Sequence, residues 1–189
     1  MKKLISVILS ALLITAALCA CKDKKAELTG KDVEYYAALG QMPECEYKIG
    51  DSVSEVKKGL GIDDEKESSE SEEESGEPEA YSYESGDYTA LSKGNSTYFY
   101  KTEGKDGKIT AICSTGDGYG YLSGTVITTV QKEMEARGCT AKETKLTEEE
   151  AFFMPVKDNF TCLKYDFSKC SVYFVFYDNG LCAVAAVSK

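Results

Sequence analysis

The feature that most constrains this chain is that it repeats itself. Residues 47–60, opening Tyr47-Lys-Ile-Gly50, align with residues 121–134, opening Tyr121-Leu-Ser-Gly124, at an offset of 74. Gly50 then meets Gly124, Val53 meets Ile127, Val56 meets Val130 and Leu60 meets Met134. Three further matches follow in the same order. Tyr88 to Leu91 meets Phe160 to Leu163 at 72, Ser96 to Phe99 meets Ser171 to Phe174 at 75, and Asp106-Gly107 meets Asn179-Gly180 at 73. Each match is short, but four in order at a nearly constant offset point to two units of about 74 residues.

Both units carry the same pattern of elements. Val53, Val56 and Leu60, like Ile127, Val130 and Met134, fall at i, i+3 and i+7, one face of a helix. Gly61 and Gly138 stand where helices commonly stop. Three β-rich runs follow each helix: 80–92, 96–102 and 108–114 in the first unit, 159–167, 171–177 and 181–187 in the second. Lys105-Asp-Gly107 and Asp178-Asn-Gly180 read as hairpin turns, because Asp-Gly and Asn-Gly accept positive φ readily. The expected class is α+β: two tandem αβββ repeats whose helices pack on antiparallel sheet. The first repeat covers 45–114, a Gly-rich join covers 115–123, and the second repeat covers 124–189. Between Asp63 and Glu79 stand ten acidic residues, one lysine and no apolar side chain, a composition that favours disorder. In the alignment this run (63–79) lies inside the first repeat, where Gly138 to Asp158 stand in the second, so it reads as an expanded loop.

The N-terminus has the three parts of a secretory signal over residues 1–20: Lys2 and Lys3, an apolar run from Leu4 to Leu18, and a small-residue cut site. The apolar run is shorter than a spanning helix needs and is followed at once by Lys22, Asp23, Lys24 and Lys25. Leu18-x-Ala20-Cys21 resembles the lipobox of bacterial lipoproteins, with Cys19 departing from the usual Ala, Ser or Thr. The resemblance implies a diacylglycerol thioether on the Cys21 thiol and cleavage before Cys21. That would anchor the chain to the cell membrane on its extracytoplasmic face; a Gram-positive envelope is the expectation, with a periplasm the alternative. Residues 21–44 would be the lipidated tether. A simple cleaved signal and an uncleaved anchor are the alternatives.

Composition narrows the chemistry. The formal net charge is −10, and most of it sits in the acidic run, so no basic face exists for nucleic acid. With no histidine, the commonest general base, every Ser-His or Cys-His pair and the usual zinc ligand are missing. No catalytic residue, metal ligand or cofactor site is expected. Six cysteines follow the anchor, at 45, 113, 139, 162, 170 and 182, without a C-x-x-C. An even count in an exported chain permits disulfides but leaves their connectivity open, and free thiols remain an alternative. The stretch Ile109 to Gly124 is a strand, a glycine-rich loop and a helix start, but its glycine spacing is not that of a dinucleotide fingerprint. A flexible join is expected there. The acidic run lacks the alternation and central glycine of a calcium loop and reads as solvated.

A helix and antiparallel meander, repeated at about 75 residues in an exported chain, resembles the β-lactamase-inhibitor-protein-like fold. The helix opening Ile49-Gly-Asp-Ser-Val-Ser-Glu-Val-Lys-Lys-Gly-Leu-Gly61 is similar to that of its small relatives, the SmpA/OmlA-type lipoproteins of outer-membrane assembly. The resemblance implies sheets forming a concave, aromatic-rich face that grips a protein. It also implies a disulfide from helix end to nearby strand, which Cys139 and Cys162 suit in the second repeat; the first has no matching pair. Strand alternation places Thr97 and Phe99, with Val172, Phe174 and Phe176, on one side, and Tyr98, Tyr100, Tyr173 and Tyr177 on the other. The tyrosine side is expected to be the more open to water and to contact an envelope or extracellular protein partner. The expected function is therefore a non-catalytic protein-binding module held at the membrane. An envelope-assembly lipoprotein and a histidine-free hydrolase built on paired carboxylates are the alternatives.

Overall fold

A computed structural model describes residues 32–62, 80–103, 107–143, 145–154 and 160–189. The signal segment, Cys21, the acidic run 63–79 and most of the turn expected at Lys105-Asp-Gly107 lie outside the described residues. The chain forms α1 (Val33–Leu39), α2 (Val53–Leu60), β1 (Tyr81–Ser85), β2 (Tyr88–Lys93), β3 (Ser96–Lys101) and β4 (Ala111–Ser114). Then follow α3 (Ile127–Glu135), β5 (Lys142–Glu143), α4 (Glu148–Phe152), β6 (Phe160–Asp166), β7 (Cys170–Tyr177) and β8 (Gly180–Ser188). The class is α+β. All eight strands join one antiparallel sheet in the order β1-β2-β3-β4-β8-β7-β6-β5.

The helices read from periodicity form as expected. Val53, Val56 and Leu60 are buried along α2, which Gly61 closes at a φ of 78°. Val130 and Met134 are buried along α3, and Ile127 is half-buried. The hairpin joining β7 to β8 turns through Asp178 and Asn179 at φ of 49° and 66°. That left-handed pair is the geometry for which Asn and Asp are suited.

Three segments differ from the sequence reading. The run 80–92 is two strands, because Gly86, at a φ of 58°, folds β1 back onto β2. The stretch from Gly138 to Asp158 carries β5 and α4. The tether 21–44 also contains folded structure: α1 places Val33 and Ala37 in the core, followed by Met42. A seven-residue helix rich in tyrosine and alanine has too little period to declare itself in the sequence.

The sheet is covered on both faces. On one, α1, α2 and α3 pack Ala37, Val56 and Met134 against Leu91, Tyr98, Ile112, Leu163, Phe174 and Val184. On the other, Phe153 and Met154 pack against Ala90, Phe99, Cys113, Tyr173, Val175 and Ala185. This overturns the side assignment made from alternation. Tyr98 pairs with Ile112, Ile112 with Ala186, and Ala186 with Val172, so Tyr98 and Val172 share a row and a face. Thr97 runs through Cys113 and Ala185 to Tyr173 on the other face. The match of Ser96–Phe99 with Ser171–Phe174 is thus out by one residue, and in a strand a slip of one exchanges the faces.

Candidate functional site

The four tyrosines do not form an open face. Tyr98 and Tyr100 are buried on the helix side and Tyr173 is buried on the opposite side. Only Tyr177, at the end of β7, is exposed, at 63%. Each buried ring has a structural task. The Tyr98 hydroxyl accepts the Glu46 N–H at 3.0 Å, and the Tyr100 ring lies under Lys57, with Nζ 5.9 Å from its centroid. The Tyr173 hydroxyl donates to Glu150 Oε1 at 2.5 Å, with Lys164 Nζ 5.1 Å from its ring. The expectation of a water-facing tyrosine surface at these three positions is corrected, because both faces of the sheet are occupied.

What covers the second face is a strap, residues 146–154. Thr147 and Glu150 form a capping box that starts α4: Thr147 Oγ1 accepts the Glu150 N–H at 3.1 Å, and Glu150 Oε2 accepts the Thr147 N–H at 2.9 Å. Glu150 Oε1 also accepts Lys164 Nζ at 2.9 Å. Burial disfavours the Glu150 carboxylate, but the Thr147 N–H, the Tyr173 hydroxyl and Lys164 outweigh it and hold its pKa down to about 2. Glu149 accepts the Tyr88 hydroxyl at 2.5 Å. Burial, then Glu149, push the Tyr88 phenol up to about 12. Beyond the carboxylates, Phe152 stacks on Tyr88 at 5.6 Å and Phe153 meets Phe99 edge-on at 5.3 Å. The strap therefore crosses the sheet from β6 and β7 to β2 and β3. Its sequence signal was Thr147-x-x-Glu150 ahead of Phe152-Phe153-Met154, a capping box before an apolar run.

The strap leaves β1 uncovered. Tyr81 and Tyr83 are 57% and 43% exposed, and their rings stack 6.2 Å apart at 27°. Tyr81 is paired with Ser92 and Tyr83 with Ala90, which puts both rings on the strap side. β1 is an edge strand, with β2 its only partner among the described residues.

All six described cysteines are free thiols. Cys139 packs against the helix-side core and Cys162 belongs to the strap-side cluster, so the sheet separates the pair for which a disulfide was expected. Burial pushes Cys45 and Cys170 up to about 11 and Cys162 up to about 12, and raises Cys113, Cys139 and Cys182 as well. Each thiol is held protonated, the opposite of an activated nucleophile.

The glycine-rich join is pinned, in contrast to the expected flexible segment. Tyr119 and Gly120 take successive left-handed conformations, at φ of 53° and 79°. Their N–H groups donate to the two carboxylate oxygens of Glu44 at 2.9 and 2.7 Å. Consecutive N–H groups in such a turn form an anion cradle, and the chain fills it with its own carboxylate. Gly118 lets the join press on β8: a Cβ there would sit 2.6 Å from Val184 Cβ. Beside it opens a polar cleft of about 430 Å³ lined by Glu44, Asn95, Ser96, Thr115 and Asp117. Among the described residues no three His, Cys, Asp or Glu side chains converge as a metal site requires. No described helix is long and apolar enough to cross a membrane. No protein-family model, curated protein or solved structure matches this chain.

Proposed function

We propose that the chain is an extracytoplasmic lipoprotein, anchored through Cys21, that binds a partner protein without catalysing a reaction. The observation that carries this reading is the stacked, exposed Tyr81–Tyr83 pair on β1, an edge strand whose outer side meets no other strand among the described residues. An edge strand offers backbone N–H and C=O groups to an incoming extended segment, and rigid aromatic rings beside it supply contact area. The acidic run, net −9 between Asp63 and Glu79, ends one residue before β1 begins after Ala80. The partner segment that suits this edge is therefore extended and basic. The binding surface moves from Tyr98, Tyr100 and Tyr173 to Tyr81 and Tyr83.

The same reading takes the body as two related units, each a helix followed by four strands where the sequence pattern predicts three, and relates them to the β-lactamase-inhibitor-protein-like fold. In support, α2 precedes β1 to β4, α3 precedes β5 to β8, and the last strands of the two halves, β4 and β8, pair at the centre. The 74-residue offset also sets Ile112 level with Ala186, its own partner across that pair.

The test places a photo-reactive group at position 82 of the full chain, exposed on β1 between the two tyrosines, on intact cells. A crosslink to one partner through a lysine- or arginine-rich segment is expected. Tyr81→Ala with Tyr83→Ala should abolish it and Tyr177→Ala should leave it. Equal crosslinking by the double variant would sink the edge-strand reading.

A further inference from the structure

The three helices that cover one face of the sheet do not present the same outer surface. α2 turns Ser54, Glu55 and Lys58 outward, and α3 turns out Thr128, Thr129, Lys132 and Glu133. Both are ordinary solvated faces. α1 differs. Val33 and Ala37 fix its inner side in the core, which leaves Tyr35, Ala38 and Leu39 exposed at i, i+3 and i+4. Tyr35 is 63% exposed and Leu39 is 40% exposed. The Tyr35 ring is braced edge-on against Tyr36 at 5.2 Å, and so is held outward by a neighbour that is itself half-buried.

Two lysines stand beside this face. Lys169 Nζ lies 3.5 Å from the Leu39 carbonyl, and the Lys189 backbone N–H bonds the Lys169 carbonyl at 3.2 Å. Both lysines are exposed. Asp32 and Glu34 at the start of α1 are the acids on the same element. Immediately upstream, residues 22–31 carry Lys22, Lys24, Lys25 and Lys31 against Asp23 and Glu27, a net +2 in a chain whose formal charge is −10. The acid of the molecule is concentrated elsewhere, in the run that leads into β1. β1 stands five strand spacings from β7, the strand against which α1 packs, or about 24 Å away.

We propose that the outer face of α1 is a membrane-contact surface: Tyr35, Ala38 and Leu39 sit in the lipid interface, rimmed by Lys169 and Lys189 against anionic headgroups. This rests on the lipid-anchor reading. Ten residues lie between Cys21 and Asp32, a reach of at most about 40 Å, so α1 is the described element nearest in sequence to the anchor and within its reach of the bilayer. Tyrosine is suited to the interface because its ring is apolar and its hydroxyl stays wet, and juxtamembrane lysines are drawn to anionic lipid. Two exposed apolar side chains would not hold a protein to a membrane alone, but they can orient one that lipid already holds there. The docked body keeps α1 down and leaves the Tyr81–Tyr83 edge free for a partner.

The natural chain has no tryptophan, so Tyr35→Trp provides a single fluorescent reporter at this face. The acylated full-length protein carrying it is reconstituted in vesicles of phosphatidylcholine and phosphatidylglycerol whose acyl chains are brominated. Several-fold quenching is expected for Tyr35→Trp, weaker without phosphatidylglycerol, and none for Tyr81→Trp. Adding Leu39→Glu to Tyr35→Trp should restore most of the emission, and far-ultraviolet dichroism checks that the fold is kept. Protein that floats with the vesicles but shows an unquenched Tyr35→Trp overturns the docking and leaves the anchor standing. Protein that fails to float overturns the anchor, and the docking falls with it.

Discussion

The two faces of the sheet are sealed by different means. On the helix side, three helices contribute Val33, Ala37, Val56, Leu60, Val130 and Met134, and the sheet answers with large rings. Phe174 is the centre: Tyr119, Tyr121 and Tyr165 surround it at 6.4, 5.4 and 5.8 Å. On the strap side the sheet offers mostly small residues, Ala90, Ala111, Cys113, Ala183 and Ala185, and one short segment covers them. That segment is pinned by carboxylates at Glu149 and Glu150 and by two phenylalanines. A face sealed by helices is fastened by area, and a face sealed by a strap is fastened by a few bonds that can be broken singly.

The comparison is tested most severely at Phe174. Removing the ring leaves a cavity among three tyrosines, and Phe174→Ala should cost about 3–5 kcal/mol. The whole urea transition should shift. If the loss is smaller than that of Phe153→Ala, the centre of the core is on the wrong side.

Phe153→Ala should act locally. The strap loses an anchor over Phe99, and Cys162 beneath it becomes reachable while the helices stay packed. Native-state thiol labelling should speed up many-fold at Cys162 and stay unchanged at Cys170, which is buried on the helix side. Equal acceleration at both cysteines would mean that the two faces open together, as one cooperative unit.

Glu150 gives the strap a pH signature. Its carboxyl is held at about 2 in the folded state, below the ordinary glutamate value of about 4.3. A depressed folded pKa stabilises fully above the unfolded value, and the contribution is lost as pH falls from about 4.3 toward 2. Glu150→Gln should lower stability at neutral pH by about 1–3 kcal/mol and flatten this part of the acid profile. Urea midpoints taken across that range for both proteins decide it. An unchanged acid limb in the variant would show that the Glu150 bonds do not fasten the strap.

What was legible in the sequence follows from which residues carry a one-sided environment. Val53, Val56 and Leu60 recur at helical spacing because α2 has one wet side, and Asn179-Gly180 announces its turn because few residues accept positive φ. β7 has no wet side: Cys170 through Phe176 are all buried, so the period of two vanishes and the tyrosines could not be assigned to a face. The open edge was illegible for another reason. Tyr81 and Tyr83 stand in a run that reads as one strand until Gly86 divides it, and the division is what makes β1 the edge. Glu44 was read as tether, because nothing local marks a carboxylate whose partners are 75 residues away.

Within the helix-side core a finer distinction remains, between a buried hydroxyl that is used and one that is not. The Tyr98 hydroxyl accepts the Glu46 N–H, and Tyr98→Phe would strand that donor at a loss of about 1 kcal/mol. The Tyr165 hydroxyl is buried with no hydrogen-bond partner among the described residues, and burial raises its pKa to about 12. It carries its desolvation cost without return, so Tyr165→Phe should raise stability by roughly 0.5–1 kcal/mol. The two substitutions remove the same atom from the same core and should move the urea midpoint in opposite directions. If Tyr165→Phe is as destabilising as Tyr98→Phe, the Tyr165 hydroxyl has an ordered water for a partner, and the seal on the helix side is wetter than its side chains imply.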